Sequence, residues 1–210
     1  LMNSVVPGGV RRDIPDSKLK ELDDFLISIK FEVEDLASML DSPALLDRLD
    51  GTGILKKEKA EEIAAVGPIA RASGVADDAR KDLGYGLYDR LGMKVVTSDR
   101  GDVHSRTLVR LGEITESLSL IHQCIQSMEP GETRIRPVAE DGSHVSVVEA
   151  PRGELVHCAE IRDGRVWRYH VRDPSFVNWF GMCHAVPGNV VPDFPLINKS
   201  FGLSYSGNDL

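Results

Sequence analysis

Residues 143–171 read SHVSVVEAPRGELVHCAEIRDGRVWRYHV. Apolar and polar side chains alternate along most of this stretch, the period of a strand rather than a helix. Three runs, SHVSVVEA, GELVHCAEIR and RVWRYHV, predict three antiparallel strands over about 143–171. Asp163 and Gly164 between the last two form a two-residue hairpin signal. The first two runs meet at VEAPRGEL, residues 148–155. Pro151 cannot donate to a sheet ladder, and Gly153 tolerates backbone angles that other residues resist, so this is a sharp corner. It presents Arg152, with Glu149 and Glu154 on either side. A turn arginine is by default solvated or paired with a nearby carboxylate.

Upstream of that sheet the period is helical. Leu19, Leu22, Leu26, Ile29, Val33, Leu36 and Leu40 recur at spacings of three and four, predicting a helix over about 17–41, capped by Asp16 or Ser17 and about 40 Å long. Ser42 and Pro43 start a short helix, and a third runs over about 56–65 until Gly67 and Pro68 stop it. Residues 69–92 read as short helical turns, and MKVVTSD (93–99) as a short strand. A second long helix spans about 102–129, with Leu108, Leu111, Ile114, Leu118, Ile121, Ile125 and Met128 as its stripe. Two long helices with narrow seams call for packing against each other or against further helices. After the sheet, Ser175 is positioned to cap VNWFGMCHAV, and the tail from Gly188 reads as irregular. The expected fold is mainly α with a small β part (α+β): a single domain over 1–210, a long-helix bundle carrying a three-stranded antiparallel insertion.

Composition removes several function classes. The formal net charge of −8 argues against a nucleic-acid surface. No apolar run approaches the roughly 18 residues that a membrane span needs. Cys124, Cys158 and Cys183 are too few and scattered for a disulfide framework, and no zinc-ligand spacing is present. There is no phosphate loop, dinucleotide fingerprint or nucleophile elbow. Arginines do recur where elements end: Arg11 and Arg12 beside Asp13, then Arg71 and Arg80 around Asp78, then Arg152. Arginine forks at such places suit carboxylate pairs that fix loops or subunits, making these residues structural or partner-facing.

In order along the chain stand PGGVRRD (7–13), GTG (51–53), VGPIARASG (66–74), DDARKD (77–82), GYGLYD (84–89), RGDVHSRTLVR (100–110), VEAPRGEL and RYHVRDPSFVN (168–178). This ordered set resembles the large subunit of energy-converting NiFe-hydrogenases (hydrogenase-4 and formate hydrogenlyase type) and the related 49-kDa-type subunit of respiratory complex I. The resemblance covers Pro7 to Leu210 and matches the C-terminal portion of such subunits. Their RxCGxC motif, or their quinone-facing histidine and tyrosine, lies upstream, so Leu1 reads as a domain boundary. Catalytic hydrogenase subunits end in a motif like SFDPCxxCxxR, whose two cysteines supply half of the nickel coordination. Aligned on Ser200 and Phe201, this sequence reads SFGLSYSGNDL, with Ser204 and Gly207 at the cysteine positions. A serine hydroxyl is a poor substitute for a soft thiolate, and glycine offers no ligand.

The resemblance thus implies the hydrogenase fold without nickel-iron and with no cofactor in these residues. It implies a portion of a membrane-associated, NADH:quinone oxidoreductase-like or hydrogenase-4-like complex, peripheral on the cytoplasmic side, and inactive in isolation. A small iron–sulfur subunit would bring electrons. Other partners would be further hydrophilic and membrane subunits and the N-terminal part of the same chain, with no nucleic acid. Arg152 would face the old active-site cavity, with Glu149 and Glu154 orienting it or relaying protons. An active NiFe-hydrogenase or formate hydrogenlyase, and a non-catalytic scaffold, are the alternative readings.

Overall fold

A computed structural model describes residues 4–210. A two-stranded hairpin, β1 (Val5–Val6) and β2 (Gly9–Val10), comes first, within PGGVRRD and just before it. Its turn is pinned to the chain before the sheet, Val10 N donating to Thr133 O (2.9 Å) and Ile135 N to Gly8 O (2.9 Å). Helices α1 (Asp16–Leu40) and α2 (Pro43–Leu49) follow. Neither candidate cap holds α1: Pro15 is the N-cap residue and Asp16 is already helical, so the helix starts without a side-chain cap. Helix α3 is shorter than expected, Lys57–Glu62. Ala64 takes a left-handed φ of 52°, and Ala65 N closes back on Ala60 O. Tertiary bonding accounts for the early stop. The Asn178 side chain accepts from Val66 N and donates to Val66 O, both at 3.1 Å.

Gly67 and Pro68, expected to end a helix, instead begin α4 (Gly67–Ala72), with proline in the first turn where its missing N–H costs nothing. The short α5 (Ala79–Asp82) is capped by Asp78. Residues 93–99 form no strand. Gly92 N and Lys94 N donate to side chains of the next helix, Gln123 Oε1 (3.0 Å) and Glu116 Oε1 (2.8 Å), and Ser98 N donates to Arg71 O (2.9 Å), so these donors are met without a ladder. That helix, α6 (Val103–Gln126), is capped by Asp102 through Ser105 N at 2.8 Å.

The face of α6 that enters the core is not its apolar stripe. Val103, Ser105, Arg106, Val109 and Leu120 are buried, whereas Leu108, Ile114, Ile121 and Met128 are exposed. The buried face is turned by about a third of a turn from the stripe. Likewise α1 buries only Leu26 and Val33 and leaves Leu36 exposed. It lies along α6, with His122 bonded to Asp23 at 2.6 Å.

Strands β3 (Gly142–Ala150), β4 (Gly153–Arg162) and β5 (Arg165–Arg172) form the expected sheet in sequence order, all antiparallel. Ala150 faces Gly153, so Pro151 and Arg152 are the two-residue corner. At the other hairpin Asp163 (φ 51°) and Gly164 (φ 67°) take the paired left-handed angles that match strand twist. The corner end of the sheet is packed, and the far end projects with Val145, Val166 and Trp167 exposed.

Helix α7 (Pro174–Ala185) is capped by Asp173, not Ser175; Asp173 Oδ1 accepts from Ser175 N at 2.8 Å. The tail is not irregular. A 3-10 turn (Val191–Asp193) leads into α8 (Phe194–Phe201), ended by left-handed Gly202, and then α9 (Tyr205–Asn208). Its prolines sit in first turns, where helices accept them. Leu55, Ile69, Val103, Met182, Ile197 and Phe201 centre the core, which gathers α2, α3, α4, α6, α7 and α8 beneath the sheet corner.

Candidate functional site

The corner at Arg152 is seated by two glycines. Gly153 (φ 130°) lies against Gly67 (φ 69°), and a Cβ on Gly153 would stand 2.9 Å from the Gly67 Cα. The backbone of the sheet corner therefore touches the start of α4, a contact no side chain permits. Arg152 Nε then donates to Gly202 O at 2.5 Å, joining the corner to the end of α8.

Behind the corner is a buried charge cluster. Arg71, 1 % exposed, bonds Glu113 through Nε (2.7 Å) and Glu149 through Nη2 (2.9 Å), and its Nη1 lies 3.2 Å from Asp78. Arg80 grips Asp78 with Nε and Nη2, at 2.9 and 2.7 Å. Burial alone would push the Arg71 guanidinium down, but Glu113, Glu149 and Asp78 outweigh it and the net direction is up. Burial likewise works against the Asp78 carboxylate, yet Arg80 and Arg71 hold it below the usual range. The hydrogen bond that Arg80 donates to Asp78, against burial, keeps Arg80 above its ordinary value. Glu149 goes the other way: burial raises it more than Arg71 lowers it.

A second arginine group comes from α6. Arg106 is wholly buried, donating to Ser200 Oγ (2.9 Å), Gly101 O (2.6 Å) and Gly53 O (3.0 Å), with its guanidinium 4.4 Å from the Phe201 ring centre. Arg110 donates to Arg106 O and Phe201 O, both at 3.1 Å. Burial, then Arg110, depress Arg106; burial, with Arg152 acting against Glu113, depresses Arg110. A cleft of about 710 Å³ opens between these groups and α1. Arg80, Arg110, Glu113, Glu149 and Arg152 line it, with Ile29, Ile114 and Leu118 as apolar wall.

The structure thus brings Arg152, Glu149 and Arg80 to one cleft, with Arg71 and Asp78 directly behind. Neither flanking acid bonds Arg152. Glu149 serves Arg71 and the Ala79 amide, and Glu154 pairs with Arg172. Arg11, Arg12 and Asp13 are exposed by the N-terminal hairpin and do not line the cleft. The sequence reading missed Arg106, Arg110 and Glu113. Their spacing of four and three places them on one face of α6, a signal present within and just beyond RGDVHSRTLVR but outweighed by the apolar stripe.

The tail positions are structurally committed. Ser204 caps α9, its Oγ accepting from Gly207 N at 3.0 Å. A Cβ on Gly207 would stand 2.5–2.8 Å from the Asp173 carboxylate. Among the described residues no group of three or more His, Cys, Asp or Glu side chains is placed to hold a metal ion. The residues at these two positions do not fit a nickel site, which needs thiolates there.

A long-helix scaffold with a projecting three-stranded antiparallel sheet is the fold of hydrogenase-type large subunits. The chain matches the model for the respiratory-chain NADH dehydrogenase 49 Kd subunit over residues 1–140 and 136–209, and it belongs to that family. It is 34 % identical over 200 residues to the carbon monoxide-induced hydrogenase of Rhodospirillum rubrum, covering 92 % of this chain and 55 % of the relative. It is 38 % identical over 215 residues to the membrane-bound hydrogenase subunit alpha of Pyrococcus furiosus, covering 90 % and 49 %. Among solved structures, a chain of the membrane-bound sulfane sulfur reductase, an archaeal respiratory membrane complex, superposes with a TM-score of 0.89 at 29 % identity, over 98 % of this chain and 59 % of that one. The chain spans about half the length of the curated relatives it matches. No described helix is long and apolar enough to cross a membrane.

Proposed function

We propose that the chain is part of a nickel-free, hydrogenase-like large subunit of a membrane-associated electron-transfer complex. Electrons arrive from an iron–sulfur cluster in a small partner subunit, and an acceptor is reduced near the cleft under the Arg152 corner. The assembly sits peripherally on the cytoplasmic side, joined to membrane subunits, and the 210-residue chain is inactive alone. The observation that carries the nickel-free part is at Gly207. The space where a metal-binding side chain would project is taken by the Asp173 carboxylate, itself fixed as the cap of α7. Arg152 pairs with no acid among the described residues and keeps donors free beyond its bond to Gly202 O, and Glu149 is a buried carboxyl with raised proton affinity on the cleft wall. Together they offer a cation and a proton-exchanging group to a reacting acceptor.

The test uses the native complex. Metal analysis should find iron without stoichiometric nickel, and hydrogen evolution should be absent. Nickel at about one per subunit with hydrogen evolution would establish a working hydrogenase instead. Arg152→Ala should lower turnover at least tenfold with assembly intact. Unchanged turnover in an assembled complex would make the cleft a scaffold.

A further inference from the structure

We propose that the cleft binds an organic anion whose acidic head lies between Arg110 and Arg152. The charges around the cleft sort into two sets. Glu113, Glu149 and Asp78 are bonded to Arg71 and Arg80. Arg110 and Arg152 form no ion pair among the described residues, and donate instead to main-chain carbonyls. Two of those carbonyls, Phe201 O and Gly202 O, are consecutive in the chain, so one short segment holds both guanidinium groups side by side. Gly202 is left-handed (φ 64°), the backbone turn that ends α8 at these two carbonyls. Like charges held together repel, and Arg152 indeed depresses Arg110. An anion between them removes that repulsion and accepts the donors left over from the carbonyl bonds, each guanidinium carrying five.

Size and lining decide the rest of the ligand. A cleft of about 710 Å³ is far larger than an inorganic ion needs and falls in the range of small-molecule sites. Ile29, Ile114, Leu118 and Pro151 give it apolar walls, so the acidic head carries a hydrocarbon or aromatic body. Glu113 on the same wall offsets Arg110 in part, and a neutral ligand adds nothing to that compensation. This inference deepens the functional reading and rests on it for the cleft being the working site.

The experiment is calorimetric titration of the full complex with phenylacetate, its neutral amide phenylacetamide, and inorganic phosphate. Phenylacetate should bind saturably and more tightly than either of the others. Arg152→Gln and Arg110→Gln should each weaken it about tenfold or more, as expected for loss of a charge-assisted bond. Arg152→Lys should recover part of the affinity, and the amide's binding should change little. Absence of saturable phenylacetate binding, or equal binding by the wild type and both glutamine variants, overturns the proposal. Phosphate binding as tightly as phenylacetate overturns the organic part of it. Binding is read without turnover or metal analysis, so the two readings fail separately. Turnover without nickel and without anion binding leaves the function standing, and anion binding in a nickel-loaded complex leaves this site standing.

Discussion

Replacing Arg71 with methionine would leave Asp78 and Glu149, whose side chains are 1 % and 4 % exposed, without their shared cation. Removing one partner of a buried ion group costs about 3–5 kcal/mol, because the remaining charge stays desolvated. Urea unfolding of Arg71→Met should show a loss of that size, and a loss under about 1 kcal/mol would mean the cluster carries little stability. Acid titrates the same region with two signs. Asp78 and Asp102 are held below the ordinary 3.8, so the stability they add is complete above that value and is lost as pH falls through their folded values. For Glu149, raised above 4.5, folding is favoured as pH falls from the raised value to the ordinary one. Asp102→Asn should therefore flatten the acid-side stability loss below about pH 4, whereas Glu149→Gln should remove a gain just above 4.5. Unfolding curves at stepped pH separate the two. At Gly207 an added side chain meets the Asp173 carboxylate, so Ser204→Cys with Gly207→Cys should lower stability by about 1–3 kcal/mol through overpacking and restore no nickel binding. Stoichiometric nickel in the double variant would show that the tail can still make room for a metal.

At the scale of elements, the corner and the start of α4 stand or fall together. Gly67→Ala and Gly153→Ala each place a Cβ into backbone at a left-handed φ. Each should cost about 1–3 kcal/mol from strain alone. The pair should cost less than the sum, since the first substitution already parts the two backbones; a double-mutant cycle with full additivity would contradict the shared contact. These elements also show what was readable. The three strands and both hairpin corners were legible because alternation and the Asp163–Gly164 pair are local signals. Both long helices were legible within a few residues for the same reason. The early end of α3 was hidden because Asn178, far along the chain, bonds both main-chain groups of Val66. The missing strand at 93–99 was hidden because side chains of α6 take over main-chain bonding beside it. For the site, the ordered turns pointed to Arg152, while Arg106 and Arg110 were obscured by the apolar residues between them. Their bonds go to carbonyls that only the folded tail brings within reach.

The whole molecule carries more apolar surface than its core uses. Phe25, Phe31, Leu36 and Met39 on α1, Ile114 and Ile121 on α6, and Met128 just past its end are all at least 41 % exposed. The sequence stripe on α6 is thus an apolar seam that α1 covers only in part, leaving Ile114 and Ile121 open. Contiguous apolar area beyond a few hundred Å² is uncommon on monomers and marks an interaction surface. Burying it against a second copy would release roughly 25 cal/mol for each Å² removed from water, enough for weak association even from a modest contact. The isolated 210-residue chain should therefore self-associate at micromolar to millimolar concentration. Sedimentation equilibrium should show the dimer fraction rising with salt, because apolar burial outweighs repulsion between chains of net charge −8, which salt screens. Leu36→Glu with Ile121→Glu should return the chain to monomer without loss of helix, as both side chains already face solvent. A chain that stays monomeric at all salt concentrations would place the helix faces outside any contact of this kind.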